Sequence, residues 1–125
     1  MSESILTTIK NMLGPVSAYD AFDDELVNFI NSVLFSLCQI GVGPATPFVI
    51  TASGGETWSD FLGDKAPMFE AVKTYIYAKT RIVFDPPSSS FALSALKEEA
   101  DMYEWRLNVM AETPIWDLSD STQTP

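Results

Sequence analysis

The chain has 125 residues, 46% of them hydrophobic, with 17 acidic and 7 basic side chains, no histidine and one cysteine. That is the size of one domain able to bury a core. The net charge of -10 argues against gripping nucleic acid by its phosphates, which takes clustered Lys and Arg, and the lack of histidine removes the commonest general base and transition-metal ligand.

The lone Cys38 excludes an intrachain disulfide. It sits in an apolar helical pattern and reads as a small buried hydrophobe in a reducing compartment. The first residues, MSESILTTIKNMLG, lack a basic segment followed by a long apolar one, so no signal peptide is expected. No apolar run approaches the roughly 20 residues that cross a bilayer. These features predict a soluble protein with no membrane partner.

In chain order, Ser4–Leu13 is expected to form a short helix with Ile5, Ile9, Met12 and Leu13 on one side, stopped by Gly14-Pro15. Asp23, Asp24 and Glu25 stand where a helix N-terminus favours negative charge. The helix they open is predicted from about Phe22 to Ile40, ending at Gly41. Its buried face is Leu26, Phe29, Ile30, Val33, Leu34 and Leu37, recurring at spacings of three and four. Phe35 falls among the polar residues Asn28, Asn31, Ser32 and Gln39 and is either a buried outlier or an interface aromatic.

Gly41–Thr57 is the least regular stretch. Its Gly and Pro residues stop a helix, and Phe48-Val49-Ile50-Thr51 followed by Ser53-Gly54-Gly55 predicts a short β-hairpin or arm. The paired glycines lack the context of a phosphate loop and read as a turn. Ser59–Leu62 is expected to be one helical turn capped by Thr57 or Ser59. A helix then runs from Pro67 to Phe84, with Met68, Val72, Tyr75, Ile76, Ile82 and Val83 facing the core. Lys73, Tyr77, Arg81 and Phe84 share another side, read as a salt-bridging or partner-contacting stripe rather than a nucleic-acid platform.

Asp85-Pro86-Pro87 turns the chain out of that helix, and Ser88, Ser89 or Ser90 caps the next, which is predicted to reach about Glu112. At roughly 100° per residue, two opposed apolar arcs appear on it. Leu96, Ala100, Tyr103, Leu107 and Met110 form one; Phe91, Ala95, Met102, Trp105 and Val109 form the other. The inference is one core arc and one subunit interface; a helix central to the bundle would bury both. The pattern leaves open which arc is which, so Trp105 is expected to matter either for folding or for assembly. After Thr113 the composition changes to TPIWDLSDSTQTP, a segment too polar to fold alone. Its Ile115, Trp116 and Leu118 form an apolar cluster suited to anchoring in a groove on a neighbour; plain disorder is the other reading.

The expected fold class is therefore mostly α, a small bundle of four to five helices spanning residues 1–112 with a hairpin or arm at 41–58, and an extended tail at 113–125. The candidate interface residues are Phe35, Phe91, Met102, Trp105, Val109, Ile115, Trp116 and Leu118. The carboxylate pairs Asp23/Asp24, Glu98/Glu99 and Asp101/Glu104 lie at helix starts or on polar faces, where solvation explains them better than acid–base chemistry. No cofactor or metal motif is present, no nucleophile–base signature appears, and no enzyme is expected.

The segments TTIKNMLG, FDDELVNFINSVLFSLCQIGVGP, TWSDFLGD, VKTYIYAKTRIVFDPPSSSFALSALK and YEWRLN, in this order, resemble the head–tail connector (neck, or DNA-packaging adaptor) family of long-tailed bacteriophages. The resemblance spans roughly residues 4–112. It implies a small helical protein, without catalysis, cofactor or metal, forming a homo-oligomeric ring typically of about twelve copies. Such a ring lies beneath the portal protein, gives the head-closure, neck or tail component its docking surface, and lets double-stranded DNA pass through its lumen without specific binding. The protein would be made in the host cytoplasm and end in the virion. The acid excess then acquires a meaning, since an acidic lumen wall does not retain phosphate. The competing reading is a small regulatory protein-binding module with the tail as its binding peptide.

Overall fold

The computed structural model describes residues 3–14 and 22–112. Within them lie α1 (Ile5–Leu13), α2 (Asp23–Gln39), the short α3 (Trp58–Leu62), α4 (Phe69–Phe84) and α5 (Ser90–Glu112), with a 3-10 stretch over Gly63–Met68 leading into α4. Four helices of nine residues or more plus one of five match the expected mostly-α bundle.

The helix ends follow from local chemistry. The Ser4 hydroxyl accepts from the Thr7 amide at 3.2 Å and opens α1. α2 closes with three bonds: the Ile40 and Val42 amides donate to the Leu37 carbonyl at 3.2 and 2.9 Å, and the Gly41 amide to the Cys38 carbonyl at 3.1 Å. Gly41 takes a left-handed φ of 92° there, which a side chain would resist, and Val42 is buried behind it. Thr57 and Asp60 form a reciprocal capping box at α3. Ser89 is the serine that caps α5, its hydroxyl accepting from the Ala92 amide at 3.0 Å.

α4 is the central element, packed against α5, α2 and α1. α5 folds back along it after the Asp85-Pro86-Pro87 corner, so that the Tyr75 hydroxyl donates to Glu104 at 2.9 Å. One hydrophobic core gathers Ile5, Ile9, Leu26, Ile30, Leu34, Trp58, Phe61, Val72, Ile76 and Leu107. Trp58 is fully buried against Phe69, and its indole N–H donates to the Thr8 hydroxyl at 3.0 Å, so its polar atom is satisfied. Lys10 and Asp23 join the end of α1 to the start of α2 through a 2.8 Å ion pair.

Three expectations need correction. Residues 41–58 form no hairpin; among the described residues the only β-type pairing outside a strand is a single antiparallel bridge between Ser4 and Thr57. Side chains replace the missing strand. The Asn31 amide on α2 donates to the Ile50 carbonyl at 3.1 Å and accepts from the Ile50 amide at 2.8 Å. Glu56 accepts from both the amide and the hydroxyl of Thr51. Pro44 and Pro47 lack amide donors, and Ile50 and Thr51 have their main-chain groups met without a ladder. Second, α4 begins at Phe69, because Pro67 sits inside the 3-10 stretch. Third, Val83 is 55% exposed. The helical period placed it with Ile76, yet α4's last turn runs beyond the core toward the proline corner.

Candidate assembly surfaces

α5 presents its two arcs to different surroundings. Ala100 and Leu107 are buried, and Leu96, Tyr103 and Met110 are half-buried on the same side. The opposite arc is bare: Phe91 is 85% exposed, Trp105 66%, Met102 41% and Val109 40%. The core arc is therefore the one around Leu107, and four of the candidate residues share one outward helix face. Exposed apolar faces of this kind often mark protein contacts, and the ridge is the candidate one on α5. Glu98 lies on the same arc by helical period, so the face is an apolar ridge with an acidic residue set into it.

Phe35 stands apart from that ridge. It is 63% exposed on α2 and, with Cys38, borders a groove of about 300 Å³ closed on its other side by Pro44–Val49. Val49, 60% exposed, completes an apolar rim that the sequence did not announce, since a hairpin would have placed it in a ladder. Phe22 and Val83 are further exposed apolar side chains. The only warning of them was position, at the first residue of α2's cap and in the last turn of α4, where a helix outruns the core. Ile115, Trp116 and Leu118 lie outside the described residues.

The polar chemistry is structural in character. A second cleft, of about 430 Å³, lies among α2, α4 and α5 and is lined by Ser32, Ser36, Gln39, Tyr75, Lys79 and Glu104. Burial, then the hydrogen bond to Glu104 and the charges of Glu104 and Asp101, push the Tyr75 phenol well above its ordinary range. Burial likewise pushes the Cys38 thiol up, with the Lys65 ammonium acting weakly the other way. Lys65 donates to the Gly41 carbonyl at 2.9 Å, tying the 3-10 stretch to the end of α2. The bonds from Thr51 hold the Glu56 carboxyl below its usual value. Lys73 pairs with Glu70 at 3.0 Å and lies over the Phe69 ring, and Arg81 donates to the Tyr77 hydroxyl at 3.2 Å, so part of that basic stripe is engaged within its own helix. Among the described residues, no group of three or more His, Cys, Asp and Glu side chains is placed to hold a metal ion. None of the described helices is long and apolar enough to cross a membrane.

The family model described as phage connector protein matches residues 5–114, from the first residue of α1 to just past the end of α5. The chain belongs to that family. The connector thus has a structural head–tail role in a phage virion, and all five helices lie within the matched region. No curated protein and no solved structure matches the connector.

Proposed function

We propose that the connector assembles into a ring of about twelve copies beneath the portal, extends the DNA channel and offers the next neck or tail component its docking surface. The observation that carries this reading is the bare α5 ridge of Phe91, Met102, Trp105 and Val109 on a helix whose other arc is already buried. A closed ring needs each subunit to present a patch complementary to a different patch on the next copy, and the ridge supplies one of the two. Trp105 is its natural centre, because tryptophan gains most from desolvation at an interface. Residues 1–112 act as the helical domain. Residues 113–125 act as a tail whose Ile115, Trp116 and Leu118 anchor on the portal or a neighbouring subunit.

Part of the acid excess faces the lumen in this reading. Glu99 and Asp101 are exposed on α5 outside the ridge, and a negative wall repels phosphate, so DNA slides without being held. Assembly takes place in the host cytoplasm and requires no catalysis, cofactor or metal.

Size-exclusion chromatography with light scattering, with and without portal protein, tests the ring. The expected species is a ring of about twelve copies, alone or on the portal, abolished by Trp105→Glu. A chain that forms no ring even on the portal overturns the proposal, and a stable monomer capturing one small partner favours a regulatory binding module. A neutral or basic lumen in the assembled ring would sink the charge argument alone.

A further inference from the structure

The groove beside Phe35 has a mostly apolar, uncharged lining, with Asn31, Gln39 and Thr46 as its polar members, and none of the described residues fills it. The end of α5 lies beside Gly41, three residues before Pro44 on the groove's edge. The Ala111 side chain lies 3.8 Å from where a Cβ on Gly41 would stand. Asn108 shares a cleft with Gln39, and Gln39 is also on the groove's rim.

Reach and chemistry then agree. From Ala111 to Trp116 an extended chain covers up to about 17 Å, while Gly41 and Pro44 are at most about 11 Å apart. The residues that follow α5 can therefore span to the Pro44 end of the groove. Their one apolar cluster is Ile115, Trp116 and Leu118, with Asp117 and Asp120 beside it. A neutral apolar hollow suits the former and leaves the carboxylates to solvent. A short tether holds the cluster at high effective concentration there.

We infer that in the free subunit Ile115–Leu118 of the same chain seats in this groove, with Trp116 against Phe35 and Val49. The tail leaves the groove when it docks on its partner, a last step that rests on the anchor reading above.

Cys38, the chain's only cysteine, lines the groove and is half-buried, so it reports occupancy. Its modification by a thiol-reactive disulfide reagent is followed at fixed pH on dilute full-length protein. Seating predicts slow labelling, several-fold faster in Trp116→Ala and in the double variant Ile115→Ser, Leu118→Ser, with unchanged circular dichroism. A peptide of residues 113–125 added to Trp116→Ala should slow it again. Equal rates in all three proteins overturn the inference. Labelling that slows as protein concentration rises also overturns it, because a second copy's tail is then the occupant. Portal protein is absent from the measurement, so failure here leaves the anchor reading standing, and failure of Trp116→Ala to affect portal binding leaves the seated tail standing.

Discussion

Asn31 does for Ile50 what a neighbouring strand would do, meeting its amide and its carbonyl at once. Ile50 is buried, so Asn31→Ala would leave two main-chain groups without their partner. The expected cost is about 1–3 kcal/mol, read as a lower denaturant midpoint together with faster amide exchange at Ile50. Tyr75 carries a pH-dependent share of stability. Its folded phenol titrates above the unfolded value of about 10, as burial and Glu104 dictate. Below that pH both states hold the proton and the contribution is fully present. Above it the unfolded chain ionises first, and stability falls as pH rises. Tyr75→Phe should therefore flatten the alkaline limb of the stability profile. An unchanged limb would show that other groups produce it. Neither role was legible in the sequence, because each joins residues nineteen and twenty-nine apart in the chain.

At the scale of elements, the two arcs of α5 make opposite predictions for residues two apart. Leu107 is fully buried, and Leu107→Ala should cost about 2–5 kcal/mol. Trp105→Ala should stay within about 0.5 kcal/mol of wild type in the isolated subunit, while weakening assembly by about 2 kcal/mol per interface, some 30-fold in affinity. Thermal melts and light scattering on both variants separate the effects. The loop after α2 is held by a close approach: a Cβ on Gly43 would stand 2.5 Å from the Phe61 ring and 2.7 Å from the Cys38 sulfur. Gly43→Ala should destabilise by about 1–3 kcal/mol through overpacking, visible as a lowered melting temperature. The helices themselves were legible because their signals are local. Ser4, Thr57 and the serine run mark starts, Gly41 and the proline pair mark stops, and three-four spacing marks the buried sides. The hairpin was misread for the converse reason. β-rich composition reports a fit to a half-buried surface, and here that surface is α2 with its Asn31, not a partner strand.

For the whole molecule, the described bundle leaves the α5 ridge and the Phe35–Val49 rim exposed. If the tail is the anchor, Trp116→Ala should leave the helical fold intact and stop portal binding or particle assembly; normal assembly by that variant removes the anchor role. Composition, periodicity and capping residues determined by themselves that this chain is helical, roughly where most of its helices lie, and that α5 has two apolar sides. Those properties depend on neighbours within a turn or two. Only the tertiary structure decided that Leu107 faces inward and Trp105 outward, since both arcs are apolar and helical period alone assigns them equal claims on the core. Packing against α4 breaks that tie, because an interior of fixed volume takes one arc and leaves the other to solvent or to a partner.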